Sequence, residues 1–352
     1  MAENSLEKIA DANTCEGKLY EKFPDHKLRC FACGHRCLIL EGKRGICKVR
    51  YNRDGLLFVP HGYTAAIQCD PTEKKPFFHV LPGSKSLTFG MLGCDFHCPY
   101  CQNWNISQAI RDPEAGVLPR KVTPEKMSAI ARELNASLIV SSYNEPLITA
   151  EWAVSIFEAA KKNGFKTAFV SNGNATPEVL NFIRPYTDCY KVDLKGMKQE
   201  NYRELGGKVS TVLETIARLI EMKFWVEVVT LIIPGFNDSD VELRAIAKFL
   251  VSVSANIPWH VTAFHKDYKM TDPDNTTAST LIRAARIGEE AGLKFIYAGN
   301  LPGQMGRYEN TYCPSCKKLL VERVGFKIVK NQMDSSGKCA DCYAEIPGIW
   351  RT

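Results

Sequence analysis

The stretch Gly93-Cys94-Asp95-Phe96-His97-Cys98-Pro99-Tyr100-Cys101-Gln102-Asn103-Trp104 organises this chain, because it places three cysteines at Cys-x3-Cys-x2-Cys spacing. Three thiolates at this spacing can bind three irons of a cubane iron–sulfur cluster. No fourth cysteine lies close by in the sequence, so the fourth iron would stay open to a small molecule, which is typical of a reactive metal site. The alternatives are three buried thiols or a closed zinc site, for which His97 is the only local fourth ligand.

The bulk composition predicts one large core with small additions. The 352 residues suffice for a core of about 200–250 residues plus one or two modules. The sequence has no run of about 18 apolar residues, and its polar N-terminus lacks the apolar segment of a secretory signal. We therefore predict a cytoplasmic protein with no membrane span. The net charge of +6 does not by itself indicate nucleic acid, which we do not expect as a partner.

The fourteen cysteines are the unusual feature of the composition. Without a secretory signal, metal or cluster binding is a better explanation than a disulfide framework. Eleven of them form three groups, and we interpret Cys15, Cys69 and Cys189 as incidental thiols. The groups are Cys94, Cys98 and Cys101; Cys30, Cys33, Cys37 and Cys47; and Cys313, Cys316, Cys339 and Cys342.

The two four-cysteine groups have the ligand number of closed metal sites. The N-terminal group fits either zinc or an auxiliary four-iron cluster. We favour zinc there, because a small segment with little core of its own gains folding energy from such a site. The C-terminal group consists of two Cys-x2-Cys pairs that flank a predicted hairpin at 318–330. This pattern indicates a zinc ribbon, although rubredoxin-like iron uses the same ligands.

From about residue 85, short β-rich runs alternate with helical stretches. Thr123-Pro124 and Thr176-Pro177 each read as an N-cap followed by proline in the first turn. Such alternation predicts parallel strands with right-handed crossovers, an α/β class. The predicted strands are Leu87–Leu92, Leu138–Ser142, Lys166–Ser171, Cys189–Leu194, Val226–Ile233, Trp259–Phe264 and Lys294–Ala298.

Six or seven such units suit a partial (β/α)6-type TIM barrel, with a doubly wound open sheet as the alternative. The predicted domains are a polar lead-in at 1–27, a Cys-rich N-terminal module and connector at 28–84, the barrel at 85–305 and the zinc-ribbon or rubredoxin-like module at 306–352.

Distinctive polar residues follow the strands in phase. In a β/α barrel the chemistry lies on the loops at the carboxyl ends of the strands. The first strand leads into the three-cysteine loop, and most later strands lead into polar segments. These segments are Tyr143-Asn144-Glu145-Pro146, Ser171-Asn172-Gly173-Asn174, Asp193-Leu194-Lys195, His265 and Gly299-Asn300.

At these residues the sequence resembles the radical S-adenosylmethionine (radical SAM) enzymes, whose cluster motif has an aromatic residue just before the last cysteine, here Tyr100. The barrel is similar to that of activases such as the pyruvate formate-lyase activating enzyme. Four further segments resemble the radical SAM member of the AMMECR1–Memo–radical SAM system. They are Asp70–Pro76, Cys101–Ser107, Tyr143–Pro146 and Asn310–Pro314.

The resemblance implies that Cys94, Cys98 and Cys101 bind a [4Fe–4S] cluster whose open iron takes S-adenosylmethionine. The ammonium of this cofactor suits Glu145, and its carboxylate suits Lys195. The ribose hydroxyls suit Asn172 and Asp193. The cofactor-binding residues that the resemblance implies are Tyr100, Asn103, Asn144, Glu145, Ser171, Asn172, Asp193, Lys195 and His265, and His260 competes with the last of them.

Three functions follow as hypotheses. The first is reductive cleavage of S-adenosylmethionine to a 5′-deoxyadenosyl radical, which abstracts hydrogen from an unidentified protein, peptide or metabolite. The second is activation of a glycyl-radical enzyme, and the third is a non-enzymatic zinc-ribbon adaptor. The partners implied are a one-electron reductant such as ferredoxin or flavodoxin and AMMECR1- or Memo-type proteins.

Overall fold

The structure, a computed structural model, describes residues 5–334 and 336–351. Residues 1–4 of the predicted lead-in, and residues 335 and 352 of the predicted C-terminal module, lie outside this part of the chain. The helices are α1 (Ser5–Asp11), α2 (Trp104–Ser107), α3 (Pro124–Glu133), α4 (Ala150–Lys162), α5 (Pro177–Ile183), α6 (Gln199–Leu205), α7 (Val209–Glu221), α8 (Asp240–Val253) and α9 (Ala278–Ala291).

The strands are β1 (Thr14–Glu16), β2 (Tyr20–Lys22), β3 (Leu28–Cys30), β4 (Leu38–Ile39), β5 (Tyr51–Arg53), β6 (Leu56–Pro60), β7 (Tyr63–Thr64), β8 (Ala66–Pro71), β9 (Lys85–Gly90), β10 (Arg120–Lys121), β11 (Ala136–Ser141), β12 (Lys166–Ser171), β13 (Cys189–Asp193), β14 (Trp225–Ile232), β15 (Trp259–Ala263), β16 (Ile296–Gly299), β17 (Thr311–Tyr312), β18 (Leu319–Val324) and β19 (Lys327–Asn331).

An eight-stranded sheet forms the centre of the fold, in the order β16-β15-β14-β13-β12-β11-β9-β8. The seven strands from β9 to β16 in this order are parallel, whereas β8 lies antiparallel to β9 at one end. Leu138, Ile139 and Val140 are all fully buried, as expected for a parallel strand covered on both faces. The predicted α/β class with a central parallel sheet is confirmed, and all seven predicted strands are present within about two residues.

The predicted helix starts are confirmed at two Thr-Pro pairs. Thr123 accepts a hydrogen bond from the backbone N–H of Lys126, and Thr176 accepts one from Val179. Proline follows each threonine in the first turn, where its missing N–H costs no hydrogen bond. The helices therefore return the chain to the start of each strand, and all parallel strands end on one side of the sheet.

Residues 5–27 differ from the prediction of a polar lead-in. They form α1, β1 and β2, and Leu6, Ala10 and Leu19 are buried in the same hydrophobic cluster as the central sheet. The apolar residues of this segment are too sparse for a clear periodic pattern, and Ile9 and Phe23 are exposed, but Leu6, Ala10 and Leu19 pack against the rest of the molecule. The N-terminal segment is therefore part of the main core.

The connector before the first parallel strand also contains more structure than predicted. Residues 66–71 form β8, which pairs antiparallel with β9 from Ala66 opposite Gly90 to Pro71 opposite Lys85. Its residues are half-buried, except for exposed Gln68 and Pro71, and the strand does not alternate between a buried and an exposed face. This pattern hid the strand in the sequence.

The last part of the chain packs against the segment that follows β8. Strands β17, β18 and β19 form an antiparallel sheet, and the predicted hairpin turns at Gly325, whose φ is +58°. Ile349 donates a backbone hydrogen bond to His79 and accepts one from Leu81, both at 2.7 Å. Buried Arg323 donates to the carbonyl of Phe78 at 2.9 Å. The C-terminal residues thereby form part of the wall beside the sheet.

Among the helices of residues 5–334 and 336–351, none has the length and apolar character needed to cross a membrane.

Candidate active site

A cavity of about 370 Å³ lies where the parallel strands end. The three cysteines of the 93–104 loop line it, together with polar residues that follow β11, β12 and β13. The sequence-predicted residues on its wall are Cys94, Cys98, Tyr100, Cys101, Asn103, Asn144, Glu145, Ser171, Asn172, Asp193 and Lys195. His265 is not among the lining residues, and it lies exposed at the rim, 2.9 Å from the amide nitrogen of Gln102.

The three-cysteine loop is fixed at both ends. Gly93 has φ +91°, and a Cβ there would lie 2.7 Å from a methyl group of Val49, so the position requires glycine. The carbonyl of Pro99 accepts backbone hydrogen bonds from Lys269 at 2.9 Å and Met270 at 3.0 Å. These contacts hold the loop against the N-terminal segment on one side and the 265–270 loop on the other.

Cys98 is buried and Cys94 and Cys101 are half-buried, and the surroundings of the three thiols suit metal binding. Burial raises the pKa of Cys98 to about 11, so this thiol loses its proton at neutral pH only in exchange for a metal. The backbone N–H of Phe96 points to the sulfur of Cys94 at 3.4 Å, and the hydroxyl of Ser107 lies 3.2 Å from the sulfur of Cys101. Such donors stabilise metal-bound thiolates.

Glu145 is held by three donors from its own chain. Its carboxylate accepts hydrogen bonds from the Ser171 hydroxyl at 2.7 Å, the Asn172 backbone at 2.7 Å and the Leu147 backbone at 3.1 Å. Burial, and then the nearby carboxylate of Asp95, raise the pKa of Glu145 to about 8. A cation in the cavity would favour the ionised form, so the site is suited to an ammonium group.

Asp95 was not among the predicted site residues, although it lies inside the three-cysteine loop. It is fully buried, and its two oxygens accept hydrogen bonds from the amides of Asn172 and Asn174, both at 2.8 Å. These contacts tie the cysteine loop to the segment after β12. The sequence did contain a signal, because Asp95 stands between a cysteine and an apolar residue. A carboxylate in such a buried position needs hydrogen-bond donors nearby.

A second charged group follows β13. Asp193 contacts the ammonium of Lys191, and the ammonium of Lys195 lies 3.8 Å from its other oxygen. Burial would raise the pKa of Asp193, but Lys191 and Lys195 lower it overall. Burial would likewise lower the pKa of Lys195, but the neighbouring Cys98 and Asp193 raise it. Asp193 and Lys195 are therefore ionised, and Lys195 can also face an anionic group in the cavity.

Comparisons with known proteins agree with this arrangement. A sequence profile of the Radical SAM superfamily matches residues 89–250. The chain is 36% identical over 335 residues to an uncharacterized protein of Methanocaldococcus jannaschii, covering 94% of this chain and 98% of that protein. The chain belongs to the radical SAM superfamily. Radical SAM proteins are enzymes that use an iron–sulfur cluster and S-adenosylmethionine. Membership of this superfamily therefore does not favour the hypothesis of a non-enzymatic zinc-ribbon adaptor.

Other radical SAM proteins are similar over a smaller part of the chain. The pyruvate formate-lyase-activating enzyme of Staphylococcus aureus is 25% identical over 200 residues, covering 53% of this chain and 78% of that enzyme. A crystal structure of Streptococcus suis SuiB bound to S-adenosylmethionine matches with a TM-score of 0.48 and 12% identity, over 69% of this chain and 56% of that chain.

The donor set of the cavity fits the two groups that a radical SAM enzyme binds. Three cysteine thiolates can bind three irons of a [4Fe–4S] cluster and leave the fourth iron without a protein ligand. A buried carboxylate and a buried ammonium stand on the same wall, as required by a ligand that carries both charges.

Sequence reasoning named His260 only as a competitor of His265 and missed its pairing with Glu227. His260 lines the wall, and its Nε2 lies 2.7 Å from a carboxylate oxygen of fully buried Glu227. The same carboxylate accepts backbone hydrogen bonds from Phe78 and His79. Burial, only partly opposed by Glu227, lowers the pKa of His260, so the imidazole is neutral. A histidine and a glutamate at inward positions of neighbouring strands were the signal.

The two four-cysteine groups have different geometries. The sulfurs of Cys313 and Cys342 are 3.5 Å apart, those of Cys316 and Cys339 are 3.6 Å apart, and all four lie within 4.8 Å of one another. This C-terminal group can bind a metal ion. Within the described residues, the N-terminal group of Cys30, Cys33, Cys37 and Cys47 is not gathered around one position in this way.

Proposed function

We propose that this radical SAM enzyme uses a [4Fe–4S] cluster at Cys94, Cys98 and Cys101 to cleave S-adenosylmethionine reductively, giving a 5′-deoxyadenosyl radical that abstracts hydrogen from a substrate. The observation that carries the proposal is the shared cavity wall of the three thiols, Glu145 and Lys195. The substrate class is a protein, a peptide or a small metabolite.

The side chains of this chain have distinct roles in the proposal. Glu145, held by Ser171 and the Asn172 backbone, binds the ammonium of the cofactor. Lys195 binds its carboxylate, and Asp193 accepts hydrogen bonds from ribose hydroxyls. The remaining residues proposed for the cofactor pocket are Tyr100, Asn103, Asn144 and Asn172, with His265 at the rim. Burial of the wall excludes water from reactive groups.

We extend the proposal to the architecture. The seven parallel strands support a partial (β/α)6-type barrel at 85–305, preceded by the Cys-rich segment at 28–84 and followed by a zinc-ribbon-like module at 306–352. The short sulfur distances of the C-terminal group support zinc or rubredoxin-like iron there. All fourteen cysteines are free thiols, which supports a reducing, cytoplasmic location.

The partners form part of the same proposal. A radical SAM enzyme needs a one-electron donor, and ferredoxin or flavodoxin supplies electrons of this kind. Segments such as Asp70–Pro76 and Asn310–Pro314 support membership of the AMMECR1–Memo–radical SAM system, with AMMECR1- or Memo-type proteins as partners.

Activation of a glycyl-radical enzyme is the second candidate function. The observation in its favour is the similarity to the pyruvate formate-lyase-activating enzyme of Staphylococcus aureus. The discriminating measurement is electron paramagnetic resonance (EPR) of a glycyl-radical partner after incubation with the reduced enzyme. A glycyl doublet would support this function, and its absence with an otherwise active enzyme would exclude it.

The primary proposal is tested with anaerobically reconstituted protein reduced by dithionite. We expect 5′-deoxyadenosine to form from S-adenosylmethionine, and the EPR signal of the reduced cluster to change when S-adenosylmethionine is added. Cys98→Ala should lose both properties, whereas Cys69→Ala, a control on the edge strand β8, should retain them. Cleavage by the Cys98→Ala protein at the wild-type rate would contradict the proposal.

A further inference from the structure

The N-terminal cysteine group lies directly beside the three-cysteine loop. The carbonyl of Cys47 lies 3.1 Å from the position that a Cβ on Gly93 would occupy, and Gly93 precedes Cys94. Arg111 donates to the carbonyl of Ile46 at 2.6 Å and to that of Phe96 at 2.8 Å. A single guanidinium thus joins the residue before Cys47 to a residue between Cys94 and Cys98.

A second connection runs through Asn174. The backbone N–H of Gly34, the neighbour of Cys33, donates to the Asn174 carbonyl at 2.8 Å. The amide of Asn174 in turn donates to Asp95, the neighbour of Cys94, at 2.8 Å. Two independent hydrogen-bonded paths therefore connect the backbone around the N-terminal thiols with the backbone around the catalytic thiols.

The sulfur spacing of the N-terminal group differs from that of a zinc site. A tetrahedral zinc ion with Zn–S bonds of about 2.3 Å brings its four sulfurs to about 3.8 Å from one another. The C-terminal group has this spacing, with sulfur pairs at 3.5 and 3.6 Å. Among the described residues, the C-terminal four are the group whose ligand atoms gather within 4.8 Å, and neither the N-terminal four nor the Cys94, Cys98 and Cys101 set is gathered in this way. A cubane cluster binds its thiolates on separate irons, so it does not require them to gather around one ion.

The reason for expecting zinc at this position also does not hold. That expectation assumed a small segment that needs a metal to fold. In the structure Leu28, Ala32, Ile39 and Leu57 belong to the main hydrophobic core, so the segment is supported without a metal. Its cysteines are therefore free to serve a redox role.

The surroundings of the N-terminal thiols suit an anionic cluster. Arg50 is 1% exposed, and its Nε has no hydrogen-bond partner, although its other nitrogens bind Glu151 and the Ile148 carbonyl. Cys30 and Cys47 lie close enough to this guanidinium to interact with its charge. The backbone N–H of Ile46 also points to the sulfur of Cys37 at 3.5 Å. Donors of this kind bind to cluster sulfurs.

We propose that Cys30, Cys33, Cys37 and Cys47 bind a second [4Fe–4S] cluster that relays electrons to the cluster at Cys94, Cys98 and Cys101. The proposal rests on the proposed function, because a relay needs an acceptor. A low-potential one-electron donor of the ferredoxin or flavodoxin class loses one electron to the second cluster, which passes it on and returns to its oxidised state. Cys37 is partly exposed and marks the side at which electrons enter.

The first test separates the two clusters by their ligands. We compare reconstituted wild-type protein with the triple variant Cys94→Ala/Cys98→Ala/Cys101→Ala by iron and sulfide analysis and by EPR after reduction. The triple variant should keep about four sulfides and four irons per chain, apart from the one metal ion of the C-terminal group, and show a cluster signal that S-adenosylmethionine does not change. A folded triple variant without sulfide and without a cluster signal would overturn the proposal.

The second test addresses the relay. In Cys30→Ala/Cys33→Ala, circular dichroism and the S-adenosylmethionine-responsive signal report whether the fold and the first cluster persist. Cleavage driven by reduced flavodoxin should fall by an order of magnitude or more, whereas cleavage driven by a small chemical reductant such as titanium(III) citrate should change little. Cys15→Ala is the control for an unrelated thiol.

Equal loss with both reductants, or no loss with flavodoxin, would overturn the relay. If the double variant does not fold, the triple variant still decides whether the second cluster exists. A wild-type protein with two clusters, neither of which responds to S-adenosylmethionine, would instead contradict the proposed function of the first site.

Discussion

Glu145 is a buried acid whose ionisation opposes folding. Its pKa is raised from 4.5 to about 8, first by burial and then by Asp95. Between these two values the folded state holds a proton that the unfolded state releases, so the stability conferred by the protonated group decreases as the pH rises. Three protein hydrogen bonds to this carboxyl fix its position without a ligand.

The pH dependence of this group gives a testable prediction. Relative to wild type, Glu145→Gln should become more stable as the pH rises from 6 to 8, by about 1.4 kcal/mol per pH unit at most. The measurement is urea unfolding of the metal-free protein at both values.

Glu178→Gln is the control, since Arg36 lowers the pKa of Glu178 despite the effect of its partial burial. Its carboxylate is charged throughout this range, so the Glu178→Gln difference should be the same at both pH values. A Glu145→Gln difference that is also constant would contradict the raised pKa.

For single residues, the sequence predicted which side chains line the cavity when they follow the end of a strand, and it was less informative about side chains within a strand. Glu145, Asn172 and Asp193 were predicted to lie together because they follow consecutive strands, and they line one cavity. His260 was passed over for His265, since a histidine within a strand gives no local sign of which face it occupies. Its direction depends on the twist and curvature of the whole sheet.

The start of helix α5 has a second role that its Thr-Pro pair does not predict. Thr176 caps the helix as Thr123 caps α3, but its hydroxyl also donates to the carbonyl of Phe31, the neighbour of Cys30. The helix start is therefore one of the anchors of the N-terminal segment. Nothing in the Thr-Pro pair itself distinguishes the two helices, because the second partner is 145 residues away.

The two threonines form a matched pair for mutagenesis. Thr123→Ala should cost about 1 kcal/mol of stability, the usual cost of losing an N-cap. Thr176→Ala should cost about 1 kcal/mol more, because the Phe31 carbonyl loses its donor as well. Urea unfolding of both variants is the measurement, and equal costs would show that the second hydrogen bond contributes nothing.

The elements themselves were largely predictable, and the exceptions have a common cause. The parallel strands are buried on both faces and read as apolar runs between helices. Strand β8 has mostly half-buried residues, and the 5–27 segment contributes only scattered apolar side chains to the core. Edge elements of this kind are specified by the neighbours they pack against, which a local pattern does not contain.

At the scale of the whole molecule, the C-terminal module and the cavity wall are coupled through few residues. Buried Arg323 contacts Phe78, a residue of the wall, and Ile349 bonds to both His79 and Leu81. The four thiols at 313–342 belong to the same part of the chain and lie within 4.8 Å of one another. A metal ion bound there would therefore stabilise the segment that packs against this wall.

We expect removal of this metal to loosen the wall. Metal analysis should find one zinc or mononuclear iron in this group, and Cys339→Ser should abolish its binding. A metal present at 1,000 times its Kd stabilises the folded state by about 4 kcal/mol, so the melting temperature should fall. Limited proteolysis should then cut faster near residues 72–84.

Cys69→Ser, on the edge strand β8, serves as the control and should leave both the metal content and the proteolysis rate unchanged. An unchanged cleavage pattern in metal-free Cys339→Ser would show that the module is not coupled to the wall.

The pairing of Val80 with Ile349 also bears on the order in which the protein folds during synthesis. The two partners are separated by some 270 residues, and at about 5–20 residues per second synthesis of that interval takes roughly 10 to 50 s. During this period the cysteine loop and most of the sheet leave the ribosome while the wall is still open. If Cys94, Cys98 and Cys101 bind the proposed cluster, an iron–sulfur donor can therefore reach them during this interval, before Ile349 pairs with Val80.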